Sequence, residues 1–123
     1  MAAMEQVQSI TLAAGSDLSA GQFKFVLLAS DGQVDLVASA GGPATGVLLN
    51  DPAAAGRAAT VAYAGVVKVI AGGTVAIGAK VQSDAAGDAI LAATGDHVLG
   101  VCVKGGADGE LIEVLLISQH ILA

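Results

Sequence analysis

A chain of 123 residues carries eleven acidic against five basic side chains, a net charge of −6, and is 54% hydrophobic with one tyrosine, two phenylalanines and no tryptophan. That length suits a single domain. Lys24, Arg57, Lys68, Lys80 and Lys104 are too few and too scattered to displace the counterions of a phosphate backbone, which argues against a nucleic-acid partner. The longest central apolar stretch, Val69 to Ala79, is interrupted by Gly72, Gly73 and Thr74 and falls short of the roughly 20 residues a spanning helix needs, so no membrane partner is expected.

From the N-terminus, Ile10, Leu12 and Ala14 alternate with Ser9, Thr11 and Ala13, with no helical period and no cap. Residues 1–14 read as an extended arm able to reach on the order of 45–50 Å at about 3.3–3.6 Å per residue. The alternation fits equally a first strand paired within the domain. Gly15 to Asp17 breaks the pattern, so residues 15–123 are expected to form the domain proper. Met1 to Gln6 has neither a basic region nor a continuous apolar region of the secretory kind. With a single cysteine, Cys102, no internal disulfide can form, and synthesis in a reducing cytosol is expected.

Phe23 to Ala29 and Gln33 to Ala38 flank Asp31-Gly32, a dipeptide suited to the positive φ of a tight hairpin. Gly41-Gly42-Pro43 reads as a loop, Val47 to Leu49 as a short strand, and Asn50-Asp51-Pro52 as the turn that ends it. Ala59 to Ala64 and Val66 to Ile70 are two strands with a bulge or corner at Gly65. Lys80 to Ser83, Ala89 to Ala92, Val98 to Val103 and Leu111 to Ile117 complete the series, separated by the Asp84–Gly87 turn and the Gly105–Gly109 loop. Short strands at intervals of about ten residues predict an all-β barrel or sandwich. Its core has to be filled by Val, Leu, Ile and Ala, which make many small dispersion contacts and few large ones.

Chemistry has little to work with. Asp96-His97 is a neighbour pair without a nucleophile elbow around any serine, and His97 and Cys102 stand at an odd offset that a regular strand places on opposite faces. Asp84 and Asp88 flank a turn but lack the ligand series of a calcium loop, and Cys102 reads as a small buried hydrophobe. Gly72-Gly73-Thr74 is not followed by the lysine and helix of a phosphate loop. No catalytic, cofactor or metal site is expected.

Gly46-Val47-Leu48-Leu49-Asn50-Asp51-Pro52, Gly65 to Val69, Ala71-Gly72-Gly73, Gly78 to Val81, Ser83 to Gly87, Gly95 to Gly100 and Ile112 to Leu116 follow one another in an order that resembles the small capsid decoration, or head cement, proteins of tailed bacteriophages. With the Phe23–Ala38 hairpin the resemblance spans roughly residues 20–117. It implies a β-barrel-like or β-tulip-like domain, commonly a homotrimer, made in the host cytoplasm and bound to the major capsid protein on the outer surface of the head. It supplies no catalytic residues. Within that frame Met4, Val7, Ile10 and Leu12 of the arm are the candidate capsid contacts, by adding a strand to a sheet edge. A tail, fibre or baseplate β-domain is the first alternative, and a small-ligand-binding barrel the second.

Overall fold

The computed structural model describes residues 7–122. Among them are nine strands and no helix: β1 (Val7–Ala14), β2 (Phe25–Ser30), β3 (Gln33–Leu36), β4 (Gly46–Leu48), β5 (Ala58–Ile70), β6 (Lys80–Ser83), β7 (Ala89–Leu91), β8 (His97–Lys104) and β9 (Leu111–Ile121). The alternation at the N-terminus is therefore that of a paired strand over Val7–Ala14, antiparallel to β5 from Val7↔Gly65 to Ala13↔Ala58. Ala14 and Leu12 turn into a core, which gives that segment a reason to stay on the domain.

All nine strands belong to one sheet in the order β1-β3-β2-β4-β5-β9-β8-β6-β7, with a further pairing between β1 and β5. The sheet as a whole is not the closed barrel that the strand spacing suggested. Its first five strands curl until β1 meets β5, while β9, β8, β6 and β7 continue outward. The cause is the length of β5. Gly65 pairs with both Val7 and Leu116, and Val61 with both Ile10 and Leu48, so β1 occupies one edge of β5 and β4 and β9 share the other.

Two cores result. Val26, Val34, Leu48, Ala59 and Val61 fill the small one inside the curl. Phe25, Val37 and Val47 on its outside meet Val67, Val69, Leu99, Ile112 and Val114 in a larger one beneath the outer sheet. β5 contributes to both by a change of phase. Ser9↔Ala62 and Gln8↔Ala64 leave Tyr63 as an extra residue, and Gly65 follows at φ +97°. Before this bulge the odd-numbered Ala59 and Val61 face the small core; after it the odd-numbered Val67 and Val69 face the large one. Gly65 was the residue that the sequence marked for irregularity, and the bulged position itself is Tyr63.

The two halves are also tied by polar contacts. Phe25 N–H donates to Gly87 O at 2.7 Å, Gly41 N–H to Ser83 O at 2.8 Å, and His97 N–H to Gly41 O at 2.9 Å. The Gln119 side chain accepts from Ala44 N–H at 3.1 Å and donates back to Ala44 O. Phe23 does not begin β2 as its aromatic character suggested. It sits at φ +64°, its N–H given to Leu48 O and its carbonyl accepting from Ile70 N–H, so two strand ends hold it in a conformation uncommon for bulky residues.

Ile112 is fully buried in the larger core, and Ile112→Ala is expected to cost about 2–5 kcal/mol in urea unfolding. A methyl group on Gly46 would run into Ala62 O, whereas one on Gly73 meets nothing within 4 Å. Gly46→Ala should therefore lose roughly 1–3 kcal/mol, and Gly73→Ala should stay within about 0.5 kcal/mol of the parent, by the same measurement.

Candidate functional site

The four residues singled out as contacts are placed differently. Val7 is half-buried against the larger core, Leu12 packs against the smaller one, and Ile10 is 42% exposed; Met4 lies outside the described residues. Gln8, Ser9 and Thr11 are exposed as well. The backbone of β1 explains why this stretch is accessible. Ala14 N–H donates to Arg57 O at the start of β5, whereas Ala13 N–H donates to Gly32 O on the opposite side, next to β3. Ser9 and Thr11 are in step with Ala13 and turn their N–H and C=O groups the same way. The β3 ladder covers only Ala13↔Gln33 and Ala14↔Val34, so among the described residues that side of β1 is an open edge at Ser9 and Thr11. An open edge offers a row of backbone donors and acceptors to another strand.

A second feature lies where β4 ends and β9 begins along the other edge of β5. Tyr63, Thr45, Gly46, Leu116, Ile117 and Gln119 surround a cleft of about 30 Å³ floored by Phe25 and Leu99. Small-molecule sites run to roughly 300–1,000 Å³, so a metabolite does not fit this cleft. Tyr63 stands 48% exposed at its rim because the bulge frees it from the ladder.

Asp84, His97 and Cys102 each have a structural partner or a place in the core. Asp84 Oδ1 accepts from Ala86 N–H and Asp88 N–H at 2.8 and 2.9 Å, the local turn bonding expected of an aspartate there. His97 places its ring Nδ1 3.1 Å from Gly41 O, reinforcing the tie made by its own N–H. Cys102 is buried in the larger core, and burial pushes its thiol pKa up, away from the reactive thiolate. Asp88 is the exception among the carboxylates. Its Oδ1 is buried without a hydrogen bond and has only Lys24 Nζ, 3.5 Å away, as partner. Burial raises the Asp88 pKa, and the Lys24 charge opposes that rise without cancelling it.

Residues 2–116 match the model of a family described as phage cement protein. Among solved structures, the head fibre gp8.5 N base of bacteriophage phi29 is similar in fold, with a TM-score of 0.71 over 91% of this chain and 95% of that one at 18% sequence identity. No curated protein matches the chain.

Because the folded state holds the Asp88 proton more tightly than the unfolded chain, Asp88 contributes stability below pH 3.8 that is lost as the pH rises through its raised folded pKa. Asp88→Asn cannot lose a proton there. Stability measured by denaturant titration should shift in favour of the variant relative to the parent between pH 3 and pH 7; a difference that stays constant or moves the other way contradicts this assignment.

Proposed function

The chain belongs to the phage cement protein family, and from that premise we propose that it is a non-enzymatic decoration protein that binds the outer surface of the assembled head and stabilises it. The observation that supports this most directly is the open edge of β1, whose exposed stretch includes Ile10. A strand on the major capsid protein pairing with Ser9 and Thr11 supplies directional backbone bonds, and Ile10 adds apolar area beside them. Met4, Val7 and Leu12 belong to the same contact in this reading, Val7 and Leu12 through the parts of their side chains left outside the cores.

Stabilisation then follows from linkage. A ligand that binds only the intact lattice adds RT ln(1 + [L]/Kd), about 2.7 kcal/mol per site at a hundredfold excess over Kd. If copies act as a homotrimer, three β1 edges engaging together add avidity without new contacts. A second reading, the base of a head appendage, draws on the likeness in fold to the phi29 head fibre base. Both readings need a head-docking surface. They differ in copy number per head.

Mixing the purified protein with expanded heads stripped of it, then sedimenting the heads, tests the proposal. Saturable binding that raises the temperature at which heads release DNA is the expected result, and failure of the folded protein to bind overturns it. Thr11→Pro removes an N–H that points away from β5 and pairs with no described strand, so it should leave the fold intact and weaken head binding roughly fivefold or more, the worth of one net backbone hydrogen bond. Unchanged binding by this variant would move the docking surface away from β1.

A further inference from the structure

The outer face of β5, β9, β8 and β6 is a second surface without a covering element among the described residues. Register fixes which side chains share it. Val66, Leu115, Val101 and Lys80 form one cross-strand row, and Lys68, Glu113 and Lys104 form the next. Beyond them Leu111 stands opposite Ile70. Leu111 is 46% exposed and Leu115 40%, so apolar area stays in water on both sides of the charged row.

The charges are sorted against the average of the chain. Three of its five basic residues lie on this face with a single carboxylate, although the net charge is −6. The only ion pair among the described residues is Lys24–Asp88, so Lys68, Lys80 and Lys104 form no ion pair with a described carboxylate. The opposite sorting occurs at the β2–β3 turn. Ser16 Oγ donates to Asp35 Oδ1 at 2.6 Å and Ala13 N–H to Gly32 O, which brings Asp17, Asp31 and Asp35 to one end of the molecule. Hydrogen bonds from Ser19 hold the Asp17 carboxyl below the usual carboxylate range, so it is charged at neutral pH.

We propose that this lysine-bearing sheet face is where a second copy of the chain docks, head to tail, through its acidic β2–β3 end. The inference rests on the reading that copies of the chain act together, and it specifies how they meet. A two-fold contact of the sheet face with itself would lay lysines on lysines and is disfavoured by like charge. A head-to-tail contact brings opposite charges together over apolar surface, and such contacts close into rings when the rotation permits. The charge sorting therefore favours contact of the face with the acidic end over contact of the face with itself.

Sedimentation velocity of the purified full-length protein, without heads, provides the test. The parent should associate in about 50 mM salt, and at least tenfold more weakly near 500 mM, where screening is stronger. Lys68→Glu/Lys104→Glu and Asp31→Lys/Asp35→Lys should each sediment as monomers while keeping the circular dichroism of the parent. Mixed in equal amounts, they should associate again, since each then offers the other an opposite charge at both surfaces. Association of the Lys68→Glu/Lys104→Glu variant at parental strength overturns the assigned surface and leaves oligomerisation standing. A parent that is monomeric at hundreds of micromolar in low salt overturns both.

Discussion

The structure depends on one strand serving two cores. β5 runs for 13 residues, and its single-residue bulge at Tyr63 turns its apolar side chains from the small core to the large one. A strand of constant phase would send Val67 and Val69 toward the same side as Ala59 and Val61, and the outer sheet would lose the side chains it packs on. The small size of the core residues makes this arrangement possible. Val and Ala on both faces of β5 allow neighbouring layers to approach closely, as shown by Gly46, where even a methyl group would meet the backbone of the adjoining strand. With no tryptophan and few other aromatics, stability is spread over many small contacts.

Strand positions were largely legible because Gly, Asp and Pro mark the turns and β-branched residues fill the runs between them. β6 coincides with Lys80 to Ser83, and the Asp31-Gly32 turn joins β2 to β3 as its chemistry requires. Other features depend on tertiary contacts that local pattern does not carry. Ala59–Ala64 and Val66–Ile70 read as two strands because Gly65 interrupts the apolar run, yet Gly65 adopts φ +97° inside a continuous strand paired on both edges. β9 extends to Ile121 because Val98 and His97 pair with His120 and Ile121, partners about twenty residues upstream. Phe23 left the strand because Leu48 and Ile70 claim its backbone groups.

The candidate site was legible in part for the same reason. The exposed alternation of β1 singled out Ile10, but the accessible part of that strand is its backbone edge, and an edge is defined by where a neighbour stops. β3 pairs with only two residues of β1, which no property of residues 7–14 reveals. The sorted charge on the outer face is equally invisible along the chain. Lys68, Lys80 and Lys104 look scattered in sequence and become neighbours only through the register of β5, β9, β8 and β6. Contact surfaces built from backbone edges and cross-strand rows suit a protein of the phage cement family, whose role on the head is association.

We propose that the protein decorates the outside of the head through β1. Electron cryomicroscopy of heads prepared with and without the protein measures this most directly. Difference density is expected on the outer surface at many equivalent lattice positions, fitted by this fold with β1 against the shell. Density inside the shell, or at one vertex alone, or with β1 facing solvent, would contradict it.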